Sequence, residues 1–188
     1  MSAERNRSPL IDVIKAVAAQ LIVLHHLAWY GPMTDVAADL SPLLDQAIQW
    51  MAAHGRLAVA AFLAVGGFLA AQGLTPRGLP AGKSPQGLII QRYLRLIGPY
   101  SIALVLAIVG AALARLWMTH ESIGAPPTTG QIVAHLFLLH DLFDYEALSA
   151  GIWYIAIDFQ LYALFVLLLW STGLLFGRSA STDFAGIA

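Results

Sequence analysis

Four stretches of about twenty apolar residues, Leu10–Tyr30, Arg56–Leu74, Pro99–Met118 and Gly151–Phe176, limit what this chain can fold into. A hydrocarbon core about 30 Å thick takes roughly 20 helical residues to cross, and only helices or closed barrels satisfy their backbone groups there. None of the four shows the alternating period of barrel strands, so each reads as a membrane helix. Between the last two lies Gln131–Leu142, an apolar run too short for a crossing and suited to a re-entrant or interfacial helix. Gln86–Ile97 (QGLIIQRYLRLI) is amphipathic and basic; Gly98-Pro99 is expected to break it from the next span and leave it on the membrane surface. The fold class read from the chain is therefore an all-α membrane protein. It has four spans, one short re-entrant or interfacial helix and one basic cytoplasmic surface helix. Residues 1–9 read as a cytoplasmic N-terminus, 10–176 as the membrane domain and 177–188 as a flexible tail.

Composition agrees. Of 188 residues, 59% are hydrophobic and 11% charged, against about 25% charged in a soluble domain. The formal net charge of -1 supplies no basic field to capture phosphodiesters, which argues against a nucleic-acid partner. With no cysteine, disulfides, thiolate zinc sites and cysteine nucleophiles are excluded.

Charge sorts by connection. Arg5 and Arg7 precede the first span, Arg77, Lys83, Arg92 and Arg95 fill the second connection, and Arg178 follows the last span. These ends are expected to be cytoplasmic. Asp35, Asp39 and Asp45 occupy the first connection and Glu121, Asp141, Asp144 and Glu146 the third, so both are expected to face outward. A cleaved signal peptide is the competing reading of the start, but Asp12 and Lys15 interrupt its apolar region.

Ionisable side chains inside a span are expensive, about 2.5–3.5 kcal/mol each on insertion scales, and by default they face a bundle interior or a wet cavity. Lys15 and His26 are eleven positions apart, which puts them on one helix face about 16 Å apart. His25 points elsewhere. Lys15 reads either as a snorkelling residue paired with Asp12 or as an anchor for an anionic ligand. His26 reads either as a neutral imidazole bonded between helices or as a poised base. Tyr154, Asp158 and Tyr162 recur at i, i+4 and i+8, a polar stripe whose aspartate needs a partner. That partner is either an Arg or Tyr that glues helices together or a histidine or substrate hydroxyl that the carboxylate orients. Trp153 and Tyr154 also suit an interfacial belt. Arg92 and Arg95, at i and i+3, suit either lipid headgroups or bidentate capture of the phosphates of a nucleotide-bearing cofactor. His135 and His140, about 140° apart on a helix, make a poor metal pair, and no metal is expected.

Taken in order, these segments resemble integral membrane acyltransferase family 3. RSPLIDVIKAVAAQLIVLHHL is similar to its first-span pattern of a basic residue, ten residues and a histidine, here Lys15 and His26. GRLAVAAFLAVGGFL resembles its second span, with Gly66, Gly67 and Phe68 at the Ser-Gly-Phe-like turn. RYLRLIGPY carries an Arg-x-x-Arg before a proline on Arg92, Arg95 and Pro99, and GIWYIAIDFQLYAL gives Trp153, Asp158 and Tyr162. Lys15, Gly66 and Asp158 stand where the family usually has arginine, serine and glutamate. The resemblance implies transfer of an acyl group, acetyl above all, from acyl-CoA to a hydroxyl of an extracytoplasmic carbohydrate or related acceptor such as a polysaccharide. It implies His26 and Asp158 as catalytic, Lys15, Arg92 and Arg95 as donor-binding, and Trp153, Tyr154, Tyr162 and His25 at the acceptor. It also implies a multi-pass protein of a bacterial inner or plasma membrane. Members usually have more spans and a longer chain. The sequence is therefore expected to match the N-terminal half, as a fragment, a half-size form, a homo-oligomer or one completed by a partner chain. A non-catalytic membrane subunit or transporter-like protein is the reading from a different class.

Overall fold

The computed structural model describes residues 8–30, 32–75, 84–120 and 123–182. Arg5, Arg7, Arg77, Lys83 and Glu121, on which part of the charge sorting rests, lie outside the described residues, as do 183–188 and the side chains of Asp35 and Arg178. In order, the helices are α1 (Pro9–Tyr30), α2 (Pro32–Ala38), α3 (Pro42–His54), α4 (Leu57–Leu74), α5 (Pro85–Trp117), α6 (Thr129–Leu136) and α7 (Ile152–Thr182). No strand occurs among the described residues. Four segments are long and apolar enough to cross a membrane: Pro9–Trp29, Pro42–Leu74, Pro85–Trp117 and Ile152–Gly173. The protein is an all-helical, multi-pass membrane protein, and most large apolar side chains of these spans are exposed, as lipid-facing residues are. The chain divides into two compact units, Met1–Phe68 and Leu69–Ala188, with the boundary inside α4.

In the first unit α3 packs against α1 and α2. The connection expected as an acidic loop is helical. Ser41 caps α3 by accepting from the Leu44 amide at 3.4 Å, and Pro42 stands in the first turn, where its missing N–H removes nothing. His25 Nδ1 reaches the Met51 carbonyl at 3.2 Å and ties α1 to α3. At the end of α3, Gly55 is there for space: a Cβ would stand 2.6 Å from His25 Cβ and 2.8 Å from the Met51 carbonyl oxygen. Neither can rotate away. Gly55→Ala is therefore expected to destabilise by about 1–3 kcal/mol through overpacking, read as a drop in thermal midpoint of the lipid-embedded protein.

In the second unit α5 packs along α7. Tyr93, Ile97, Tyr100, Leu104 and Ile108 recur at helical spacing on α5, and Ile152, Ile155, Ala156 and Phe159 do so on α7; together with Leu138 they make the core. Ala156 is fully buried, and its small side chain lets the two backbones approach.

Three features differ from the sequence expectation. Gln86–Ile97 is not a separate surface helix but the first turns of the continuous α5, which carries Pro99 inside it. Proline costs the helix one amide, the one that would serve the Arg95 carbonyl, and its ring crowds the side chain before it; Gly98 has no Cβ to crowd. Breaking the helix would leave several more backbone groups unsatisfied in lipid. α7 continues to Thr182, six residues into the expected tail. The short helix stops at Leu136 instead of Leu142, because Leu138 takes a left-handed conformation at φ 57°. That reversal folds the chain back, so that His135 and His140 stack at 4.0 Å between centroids and 8° between planes. The angle of 140° expected between them assumes a helix that has already ended.

Candidate functional site

In the first unit Lys15 and His26 are half-buried on α1, whereas Asp12 is exposed in its first turn. No ion pair joins Asp12 to Lys15 among the described residues. Asp12 instead stands where the partial positive charge of the helix N-terminus favours a carboxylate. The two adjacent histidines make different contacts. His25 is committed to Met51, with its ring 6.2 Å from Trp29, while His26 lies beside it at 5.6 Å between centroids.

In the second unit the polar stripe of α7 meets α5. Arg92 donates from an Nη to Asp158 Oδ2 at 2.6 Å, and its guanidinium carbon lies 5.2 Å from the centre of the Tyr162 ring. Arg92 and Asp158 each stand one residue before the aromatics Tyr93 and Phe159, whose rings pack at 5.8 Å. The ion pair thus runs beside the apolar seam and takes its register from it. The side chain of Asp158 is 17% exposed and that of Arg92 36%, so the pair is part-screened by solvent. Arg92 Nε is buried without a hydrogen-bond partner among the described residues. Arg95, one turn on, is exposed and takes part in no ion pair among the described residues. Trp153 and Tyr154 meet edge to face at 6.5 Å, and Tyr154 is half-buried.

The structure brings together Arg92, Asp158 and Tyr162, which are 66 and 70 positions apart in the sequence. Sequence reasoning passed over two groups that fix this corner. The Tyr93 hydroxyl donates to the Leu136 carbonyl at 2.9 Å, and Gln160 Nε2 donates to the Leu138 carbonyl at 2.8 Å. Both sit within two residues of the ion pair but on other faces of their helices, so the polar stripe of α7 gives no signal for them. Among the described residues no three His, Asp or Glu side chains are arranged to hold a metal ion.

Residues 9–182 match the acyltransferase domain family, acyltransferase 3, which takes in every residue described in both units except Ser8. The chain belongs to the acyltransferase 3 family. No curated protein and no solved structure is significantly similar to it. Membership of the acyltransferase 3 family brings an acyl donor and an acceptor to a lipid-embedded helical bundle. The matched region includes Lys15 and His26 on α1, the Arg92–Asp158 pair, and Arg95.

Proposed function

We propose that this acyltransferase 3 protein moves an acyl group, acetyl above all, from acyl-CoA to a hydroxyl of an extracytoplasmic carbohydrate or related acceptor. The observation that carries the reading is the unequal state of its two arginines. Arg92 is held by Asp158 and Tyr162, while Arg95 presents its guanidinium outward on the neighbouring turn. A planar fork with free donors suits a phosphate; one already engaged by a carboxylate does not. In this reading Arg95 takes a phosphate of the donor at the cytoplasmic surface, and Arg92 keeps α5 and α7 in register beside it. Lys15 draws the polar part of the donor into the bundle.

His26 is the base. Its imidazole accepts the proton of the acceptor hydroxyl as that oxygen attacks the thioester carbonyl. The tetrahedral species then collapses, the carbon–sulfur bond breaks, and the coenzyme A thiolate leaves and takes up the proton that the imidazolium holds. In the second unit Trp153 and Tyr154 take the acceptor while Tyr162 stays on Arg92, and in the first unit His25 supports His26 from the α1–α3 contact.

Calorimetry of coenzyme A binding at low salt, with the protein in nanodiscs, separates the arginines. Arg95→Ala is expected to weaken binding about tenfold or more, the worth of a charge-assisted hydrogen bond, with the thermal midpoint unchanged. Unaltered affinity in Arg95→Ala would remove the phosphate role. Binding of coenzyme A without transfer of labelled acetyl to any hydroxyl acceptor would favour a non-catalytic subunit.

A further inference from the structure

We propose that residues 139–151 form a lid that the stacked pair His135 and His140 latches against α6, and that the latch lets go when these imidazoles take up protons. The lid is seated on one face of α6. Gln131 and His135, at i and i+4, share that face. Gln131 Nε2 donates to the Glu146 carbonyl at 2.8 Å, and His135 Nε2 accepts from the Leu148 amide at 3.1 Å. The Tyr145 hydroxyl lies so close to Gly130 that a Cβ there would meet it at 2.6 Å.

These bonds settle the protonation of His135. Its Nδ1 lies 2.7 Å from the Gln131 carbonyl, which can only accept, while the Leu148 amide can only donate. The proton is therefore on Nδ1, and Nε2 must stay bare. A second proton would set an N–H against the Leu148 N–H and abolish that tether. His140 adds to the effect. It is 0% exposed, neither ring nitrogen has a hydrogen-bond partner among the described residues, and its face lies flat on His135. Two imidazolium rings cannot share that stack.

Burial lowers the pKa of His135, against the opposing pull of the Gln131 carbonyl and of Asp141. Burial also lowers that of His140; His135 adds to this and Asp141 opposes it. Asp141 Oδ1 is 3.6 Å from His140 Nε2, and its side chain is 31% exposed, so solvent weakens its counter-charge. Tyr100, from α5, is within electrostatic reach of Asp141. The lid itself carries Asp144, Tyr145 and Glu146. From α7 the group bonded to this corner is Gln160, which does not titrate. Because both histidines are lowered in the closed state, the closed lid holds fully above the ordinary imidazole value of about 6.5. Its stability is lost as the pH falls below that value toward the lowered ones. Release would wet His140, whose imidazole is otherwise sealed.

Hydrogen exchange of the intact protein in nanodiscs, corrected for the intrinsic chemical rate, tests the latch. Each histidine that reaches an ordinary pKa in the open state contributes up to about thirty-fold faster exchange between pH 7.5 and pH 5. Amides of 145–148 are expected to accelerate by up to that factor for each histidine that titrates, while α7 stays protected. His135→Gln keeps an acceptor for Leu148 but cannot titrate, so it should remove most of one histidine's share. The double variant His135→Gln, His140→Asn should show a flat profile. Asp141→Asn removes a charge that raises both closed-state values, so it should keep the onset near the ordinary imidazole value and extend the acceleration to lower pH. A wild-type profile without pH dependence, acceleration that survives in the double variant, or its abolition in Asp141→Asn would each overturn the proposal.

Discussion

Replacing His26 by alanine should lower acetyl transfer by about 10²–10⁴-fold, the usual contribution of a positioned general base, while leaving coenzyme A binding within a factor of two or so. The expectation rests on the division of labour at the end of α1. Met51 occupies His25, whose ring lies 5.6 Å from that of His26 and 6.2 Å from that of Trp29. His25→Ala should therefore weaken the α1–α3 contact and lower the thermal midpoint, with the loss of rate following the loss of folded protein. Single-turnover transfer from labelled acetyl-CoA by the nanodisc-embedded variants, alongside their thermal midpoints, separates the two. Full transfer by His26→Ala would remove this residue from the chemistry. Loss in His25→Ala without any loss of folded protein would move the role one position.

Asp158→Ala should be the most damaging single change to the folded state, at about 2–3 kcal/mol. Removing one partner of a buried ion pair costs roughly 3–5 kcal/mol because the other charge is stranded. Arg92 keeps a 36% exposed side chain, which lets part of that charge reach solvent and lowers the figure. The Tyr162 ring, 5.2 Å from the guanidinium carbon, offers little compensation. Replacing both partners, with Arg92→Met and Asp158→Leu, is expected to recover most of the lost stability, since a well-packed apolar pair is often as good as the ions it replaces. Equilibrium unfolding of the two singles and the double closes the cycle. A double variant as unstable as Asp158→Ala would mean that the pair stabilises by more than neutralising its own charges. Recovery of acetyl transfer in the stable double variant would confine both residues to holding α5 and α7 together.

Much of this architecture is visible in the linear chain because lipid leaves so few options. Runs such as Leu10–Tyr30 and Gly151–Phe176 have to be helices, and α1 and α7 follow them closely. The helical connection after α1 also left a trace, since Ser41-Pro42 is a cap followed by a proline where a helix tolerates one. What stayed hidden depends on tertiary pairing or on a single backbone reversal. Nothing local to Asp158 says that Arg92, 66 positions earlier, will be its partner. Nothing in the spacing of His135 and His140 announces the left-handed Leu138 that stacks them. Pro99 misled for a different reason. Its rule is drawn from helices in water, where a broken turn can be rehydrated, and that remedy is missing in hydrocarbon.

The 33 residues of α5 have a further consequence. At 1.5 Å per residue the rod is about 50 Å long, and even a tilt of about 40° leaves roughly 38 Å along the bilayer normal, against about 30 Å of oil. One end must therefore stand among the headgroups or beyond them. Arg92 lies only two turns from the N-terminal end, so the depth of its ion pair follows from how the surplus is shared between the leaflets. Hydrophobic mismatch thus couples this corner of the protein to the chain length of its host lipids, and thinner bilayers should push the arginines further into water.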